Sequence, residues 1–182
     1  AYNNQTNNSS YNYGDHVVAN ASGMPAYQWD VGNYWAWYTN SKTIFTGDGN
    51  EDEGLWSGSW KGIRIANLCL ENIEYLSEAT DEQRNLLLGQ AYFFRAFFHW
   101  EIVRAFGGMP YVDMVLGPSD NMKLERMSYH ESTERIVEDL DKAIALLPKD
   151  WDETETGGQT PGANRGRATV GSAMGIKAKA LL

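Results

Sequence analysis

The sequence predicts a mainly all-α protein in which helix hairpins follow an irregular, aromatic-rich N-terminal segment. From residue 55 onward, apolar residues recur at spacings of three and four in four separate blocks, the period of helices that bury one face. Capping residues and glycine or proline stops bound these blocks. Residues 1–54 show no such period and contain frequent glycines. We therefore divide the chain into an irregular segment, 1–54, and a helical region, 55–182, which is apparently truncated at its C-terminal end.

The irregular segment carries the candidate ligand-binding residues. Its loop aromatics do not follow a helical stripe, so burial in a core explains them less readily than it explains helix aromatics. An aromatic ring can stack on the apolar C–H face of a sugar, while nearby amide and carboxylate groups hydrogen-bond the sugar hydroxyls. The alternative, in which each ring only packs the loop onto the helices, stays open. The candidate carbohydrate-binding residues are Trp29, Trp35, Trp37, Tyr38, Asn33, Asp48 and Asn50.

An acidic stretch at the end of this segment has part of the pattern of a calcium-binding loop. Asp48, Asn50 and Asp52 alternate as the first ligands of an EF-hand loop do. Glu53 stands where that loop requires glycine, and Ser59 stands where it requires a bidentate glutamate. The sequence therefore predicts no metal site, and the acidic residues are explained by their favourable interaction with the start of the next helix.

The first predicted helix runs from about Leu55 to Ser77. Asn67 falls on its apolar face and is expected to be hydrogen-bonded, for example to a neighbouring backbone, because buried polar groups are almost always paired. Only Ser77 to Thr80 separate this helix from the next, so the two must form an antiparallel hairpin. The apolar face comprises Trp56, Trp60, Ile63, Leu70, Ile73 and Leu76.

The most apolar and aromatic run of the chain, residues 89–110, predicts the second helix. Thr80 and Gln83 predict its start as a capping box, and Gly107, Gly108 and Pro110 predict its end. Aromatic residues occur all round the helix, so we expect it to be covered on most sides. Its charged residues come too early for a membrane span, which needs about 20 apolar residues. The predicted buried stripe is Leu87, Ala91, Phe94, Phe98, Ile102 and Ala105.

Four polar residues lie inside this aromatic helix. Arg95 and His99 are one turn apart, and Glu101 and Arg104 are three residues apart. An unpaired buried charge costs several kcal/mol, so each of these groups requires a partner. We expect partners on the same helix or on a neighbouring one, and interpret these residues as structural, interhelical ion pairs and not as catalytic groups.

Two more helices complete the predicted region. Ser128 and Glu131 form a capping box at the start of the third helix, which ends at Pro148. Glu138 and Lys142 are expected to pair on its wet face. A long exposed loop, 149–167, then leads to a fourth helix that follows Thr169. The stripe of the third helix is Ile136, Leu140, Ile144 and Leu147.

Composition and motifs exclude several classes of function. The net charge is −9 with no cluster of lysine and arginine, so nucleic acid is not an expected partner. Cys69 is the single cysteine, which excludes an intramolecular disulfide. The three histidines stand in no zinc or nucleophile motif, no phosphate loop is present, and no cofactor is predicted. The first residues have no basic start or apolar core, so no signal peptide is predicted within the chain.

A family resemblance rests on an ordered set of stretches from Trp56 to Leu182. Residues 89–112, GQAYFFRAFFHWEIVRAFGGMPYV, resemble the signature helix of SusD/RagB-like proteins. WKGIRIANLCLENI before it, IVEDLDKAIALLP after it and NRGRATVGSAMGIKAKALL at the end fall where that family has them. The resemblance implies tetratricopeptide-like helix pairs, although the period is too irregular for ordinary tandem repeats.

The same resemblance implies a function at the cell surface. SusD-like proteins are surface-exposed lipoproteins of the outer membrane that bind glycans and deliver them to a SusC-like TonB-dependent transporter. Membrane contact would be made only through a lipid anchor that is not present in this chain. The resemblance implies a binding protein and not an enzyme. Two other hypotheses remain open: a protein-interaction scaffold of helix hairpins without its own ligand site, and a glycosidase, whose carboxylate pair the sequence cannot locate.

Overall fold

Four α-helices account for most of residues 55–182, which are the part of the chain that the computed structural model describes. Within this part there is no β-strand, so the prediction of a mainly all-α fold is confirmed. One-turn 3₁₀ helices, Ile73–Tyr75 and Gly157–Gln159, lie in two of the connections. The helices are α1 (Leu55–Glu71), α2 (Asp81–Phe106), α3 (Tyr129–Leu146) and α4 (Val170–Ala180).

The predicted helix starts are confirmed by their caps. The Thr80 side chain accepts a hydrogen bond from Gln83 N, and the Gln83 side chain accepts one from Thr80 N. Ser128 and Glu131 form the same reciprocal pair at the start of α3. Thr169 caps α4, with Ser172 as its partner. Because each pair satisfies two backbone N–H groups within four residues of chain, a local sequence pattern is sufficient to place these ends.

Helix α1 ends six residues before the predicted Ser77. The Asn72 side chain donates to Leu68 O at 2.8 Å, and the chain then passes through the 3₁₀ turn Ile73–Tyr75. The Arg84 guanidinium on α2 donates to Leu76 O and Ser77 O. The predicted end was wrong because a side-chain amide at the end of α1 and a guanidinium from the next helix satisfy carbonyls here, so the chain can leave the helix early.

The predicted antiparallel hairpin of α1 and α2 is confirmed by its side-chain contacts. Trp60 meets His99 edge to face at 6.0 Å, and farther along α1 Asn67 accepts a hydrogen bond from Arg95. Residue numbers thus rise along α1 as they fall along α2. Midway, Gly62 has no room for a Cβ atom, which would lie 2.3 Å from the Phe98 ring.

The buried face of α2 differs from the predicted stripe. Ala91 and Ile102 are buried as predicted, but Leu87 and Phe94 are exposed by 37% and 40%, and Ala105 is also exposed. Because aromatic residues occur on every side of α2, spacing alone could not identify the face that the core would cover. The core instead contains four other apolar residues of this helix: Leu86, Phe93, Ala96 and Val103.

Helix α3 lies between α2 and α4 and shares one core with both. Its predicted stripe is confirmed for Ile136, Leu140 and Leu147, which are buried, while Ile144 is half-buried and packs against the core. The predicted pair of Glu138 and Lys142 was wrong. Glu138 pairs with Arg135 at 2.7 Å, and Lys142 pairs with Asp139 at 3.2 Å. Each residue therefore binds a partner three residues away in place of the predicted partner four residues away.

The connection from α3 to α4 is mostly exposed, as predicted, but it is anchored at two points. Trp151 is buried in the core, and its Nε1 donates to Ala168 O at 2.7 Å. The Glu82 carboxylate accepts hydrogen bonds from Glu155 N and from both the N and Oγ1 of Thr156. These bonds hold the pKa of Glu82 below its ordinary value. The start of α2 therefore fixes the course of a loop far away in sequence.

Candidate functional site

The predicted carbohydrate-binding residues lie outside the described residues. All seven belong to the segment 1–54, whereas the structure describes residues 55–182. They stay predictions for that reason. The residues are Trp29, Trp35, Trp37, Tyr38, Asn33, Asp48 and Asn50.

Within the described part, the most unusual segment is the α2–α3 connection, residues 107–128. Its two ends are fastened together at the end of α2. Arg126 donates from Nε to Gly108 O at 2.6 Å and from Nη2 to Phe106 O. The Ser132 hydroxyl accepts from Met109 N at 3.1 Å and lies 3.0 Å from Met109 O. These contacts close residues 107–128 into a loop with fixed ends.

Side chains of α1 hold the middle of the α2–α3 connection. Asn67 Nδ2 donates to Val112 O at 3.0 Å and to Met114 O at 2.9 Å, which confirms that this residue bonds neighbouring backbone. Arg64 donates to Leu116 O at 2.7 Å. Glu71 accepts from the backbone N–H of Val115 at 2.6 Å. Side chains of a helix therefore provide the hydrogen bonds that a neighbouring strand would provide in a sheet.

A buried ion pair lies beneath this connection. Arg95 on α2 donates to both carboxylate oxygens of Asp139 on α3, at 2.6 and 2.9 Å. Their side chains are only 7% and 2% exposed. Arg95 also donates from Nη1 to Asn67 Oδ1 and to Asp113 O. The predicted partner of Arg95 is thus confirmed as a charge on a neighbouring helix, and one guanidinium joins α1, α2, α3 and the connection.

Tyr111 is a further hydrogen-bond donor to the buried Asp139 carboxylate. Its hydroxyl donates to Asp139 Oδ2 at 2.6 Å. Burial alone opposes ionisation of Asp139, but the hydrogen bonds and charge of Arg95 hold the pKa of this carboxyl below its ordinary value. Burial and the neighbouring carboxylate raise the pKa of Tyr111 well above its usual range. The pair is therefore a stable ionised unit and not a proton donor.

His99 lies at the centre of the same region and is neutral. Val112 N–H donates to its Nε2 at 3.1 Å, so the ring proton is on Nδ1, which donates to Arg95 O at 2.8 Å. The ring stacks on Tyr111 with a centroid separation of 3.9 Å. Burial lowers the pKa of His99 to about 4, because the charged form is poorly solvated there.

The other two charged residues of the aromatic run in α2, Glu101 and Arg104, pair with each other. Arg104 donates to both carboxylate oxygens of Glu101, at 3.1 and 2.6 Å. Among residues 55–182, every buried side-chain nitrogen or oxygen has a hydrogen-bond partner. No group of three or more metal-ligating side chains occurs in this range. The arrangement therefore supports a structural role for the polar residues of α2.

An open apolar groove of about 360 Å³ lies between α1 and the α2–α3 connection. Its two polar lining residues, Arg64 and Asn67, are both bonded to the connection. The groove therefore offers apolar contact and no set of acid and base groups. Its apolar lining includes Trp60, Ile63, Met109, Val112, Met114 and Leu124.

Sequence reasoning missed the roles of Asp139 and Tyr111. The signal for Asp139 was its position, three residues after Ile136 and next to Leu140, which places a carboxylate on the buried stripe of α3. A carboxylate on that stripe requires a cation from another helix, and Arg95 was the candidate. Tyr111 gave no signal, because it lies in a connection with no period.

A protein-family comparison matches most of the chain. Residues 1–163 match the model of SusD-like proteins, which is described as "Starch-binding associating with outer membrane". The chain belongs to the SusD-like family. The SusD-like protein P2 of Formosa agariphila is 32% identical over 104 residues, which cover 54% of this chain and 20% of that protein.

Solved structures of SusD-like proteins share the fold. One from Bacteroides fragilis superimposes with a TM-score of 0.60 at 31% identity over 71% of this chain and 23% of its own. Surface glycan-binding protein A of Bacteroides fluxus gives a TM-score of 0.57 at 21% identity, over 70% of this chain and 25% of its own. The SusD-like chain thus spans about a quarter or less of these relatives.

None of the helices within residues 55–182 combines the length and apolar character of a membrane-spanning helix.

Proposed function

We propose that this SusD-like chain is the glycan-binding part of a surface protein that takes up carbohydrate. The match of residues 1–163 to a starch-binding, outer-membrane family carries the proposal. The described region is consistent with it, because its buried polar side chains are all hydrogen-bonded and the polar residues that line its groove are Arg64 and Asn67. In this proposal the protein binds its glycan without cleaving it.

The glycan is bound by the aromatic residues of segment 1–54. Trp29, Trp35, Trp37 and Tyr38 provide flat apolar surfaces for the C–H faces of sugar rings. Asn33, Asp48 and Asn50 orient the sugar by hydrogen bonds to its hydroxyls. Family membership supports the ligand class, and the chemistry of loop aromatics supports these particular positions.

The protein acts at the outer membrane, on its outer surface. A lipid anchor holds it there, and a SusC-like TonB-dependent transporter receives the glycan. The family description supports the membrane association. Co-purification of the full-length protein with a TonB-dependent transporter from outer-membrane extracts tests the partner, and recovery only in the periplasmic fraction contradicts the location.

Replacing Trp29, Trp35 or Trp37 by alanine is expected to weaken glycan binding by about 1 to 3 kcal/mol, or roughly 5- to 150-fold in Kd, because each change removes one large aromatic face. Isothermal titration of the chain with starch and laminarin oligosaccharides measures the change. The wild-type Kd is expected in the micromolar to millimolar range.

Tyr38→Ala has a matched control in Tyr75→Ala. Tyr75 is 82% exposed in the 3₁₀ turn after α1 and lies outside the proposed site. Tyr75→Ala is expected to leave binding unchanged, whereas Tyr38→Ala weakens it. Equal loss in both variants, or retained affinity in all four loop variants, contradicts the assignment of the site.

The two alternative functions, a protein-interaction scaffold and a glycosidase, predict different results for the same purified chain. A scaffold of helix hairpins binds a partner protein and gives no heat with any glycan. A glycosidase releases reducing ends from polysaccharide during incubation. Either outcome overturns the proposal of a non-enzymatic glycan-binding protein.

A further inference from the structure

His99 is the residue at which α1, α2 and the α2–α3 connection meet. Its ring packs against Trp60 of α1 and stacks on Tyr111 of the connection. Its two nitrogens are both used: Nδ1 donates to Arg95 O, and Nε2 accepts from Val112 N–H. The side chain is 1% exposed, so water cannot replace either partner.

A second proton on this ring is incompatible with the observed contacts. The imidazolium carries hydrogen on both nitrogens and accepts no hydrogen bond. Protonated Nε2–H would face Val112 N–H, so two donors would meet and neither would be satisfied. A buried unsatisfied donor costs about 1–3 kcal/mol, and the unsolvated positive charge adds to this cost.

We propose that His99 is an acid-released latch: its neutral imidazole holds the Val112 backbone on α2 and releases it when the imidazole is protonated. Val112 lines the apolar groove, so release of the latch changes one wall of this groove. The mechanism is independent of the proposed glycan site in segment 1–54.

The charges around His99 favour the neutral ring in the closed state. The positive charge of the Arg95 guanidinium on α2 disfavours protonation of His99. The carboxylates of Asp139 and Asp113 favour protonation and partly offset this effect. Salt bridges neutralise both carboxylates, and α1 contributes Trp60 and Asn67, which do not titrate. The charged and titratable groups of this region are Arg95 on α2, Asp139, Lys142 and Arg135 on α3, and Asp113 and Tyr111 in the connection.

The direction of the pH effect follows from the two states. In the closed state the pKa of His99 is about 4, and in an open, solvated state it returns to the ordinary 6.5. The open state therefore binds more protons between these values, and opening becomes more favourable as pH falls through that window. The pKa of Asp139 is held below its ordinary 3.8, so this carboxylate stays ionised throughout the window.

Amide hydrogen exchange of Val112 tests the latch. Between pH 7 and pH 5 the opening equilibrium of this amide is expected to rise about 20-fold, after correction for the intrinsic exchange rate. The double variant His16→Gln/His130→Gln leaves His99 as the last of the three histidines and is expected to keep the response. The Leu140 amide in the core reports global unfolding and is expected to change much less.

A variant that cannot titrate provides the second test. His99→Phe keeps a ring but has no nitrogen, so it is expected to raise opening at pH 7 and to abolish the pH response. Should this variant fail to fold, an NMR titration of His99 in the wild-type chain provides the test, with a pKa of about 4 expected in the folded chain.

Three results contradict the latch. One is unchanged protection of Val112 between pH 7 and pH 5. The second is an equal loss of protection at Leu140, and the third is titration of His99 near pH 6.5 in the folded chain.

Discussion

Arg95→Met is expected to destabilise the chain by about 3 to 5 kcal/mol, because it leaves the buried Asp139 carboxylate without its cation. Asp139 is 2% exposed and would keep only the Tyr111 hydroxyl and the Lys142 ammonium as donors. Arg95 also supplies the bonds to Asn67 and to Asp113 O, so the same change weakens the attachment of the α2–α3 connection. Chemical denaturation followed by circular dichroism measures the free energy of unfolding.

The double variant Arg95→Met/Asp139→Leu separates the ion pair from simple loss of packing. Removal of both charges leaves no buried carboxylate, so we expect it to recover a large part of the loss. Asp81→Asn is the control for an exposed pair, since Asp81 is 97% exposed in its contact with Arg84. Surface pairs contribute roughly 0–1 kcal/mol, and a comparable effect of Asp81→Asn and Arg95→Met contradicts the prediction.

Gly108→Ala is expected to destabilise the chain by about 3 kcal/mol, at the upper end of the range for overpacking. A Cβ atom on Gly108 would lie 2.3 Å from Met127 O and 2.4 Å from Ser128 C. Both atoms belong to the backbone, so the methyl group cannot be accommodated by a rotamer change. The two ends of the α2–α3 connection must separate, which also disturbs the bond from Arg126 to Gly108 O. Thermal unfolding measured by calorimetry gives the change in stability.

Gly175→Ala is the matched control for this substitution. Gly175 lies within α4, and among residues 55–182 only its chain neighbours and the backbone of its own helix come within 4 Å of its Cβ position. Alanine is expected to stabilise this helix by up to about 1 kcal/mol, because it restricts the unfolded backbone. The prediction for Gly108 is contradicted if both substitutions shift the unfolding temperature in the same direction.

Local chemistry explains which features of the fold were predictable. Each of the two predicted capping boxes pairs residues three apart, Thr80 with Gln83 and Ser128 with Glu131. Because each hydrogen-bonded partner lies within the same short segment, the sequence pattern alone is enough to predict the structure. Asn67 was predicted to bond backbone because it interrupts an apolar face, and it does so with Val112 O.

Features that depend on distant residues were not predictable in the same way. The end of α1 depends on Arg84, which donates to Leu76 O from the following helix. The buried face of α2 depends on where α3 lies, and Phe94 is exposed although its spacing matched a buried stripe. In both cases the deciding contact lies outside the segment whose pattern was used.

The candidate glycan site remains a prediction from residue chemistry. Its residues, from Trp29 to Asn50, have no period that ties them to a position in the fold. The apolar groove could not be predicted either, because Met109 and Met114 reach it through a connection whose course is set by Asn67 and Arg64.

The sequence by itself determined the helical class, the starts of α2, α3 and α4, the resemblance to SusD-like proteins and the need for a partner for Arg95. Only the tertiary structure decided that Asp139 is that partner, that His99 is neutral, and that residues 107–128 lie against α1. The physical reason is the distance along the chain over which each interaction acts. Capping and periodicity act within a few residues, whereas a buried charge or imidazole is governed by whichever groups the fold brings within about 3 Å of it.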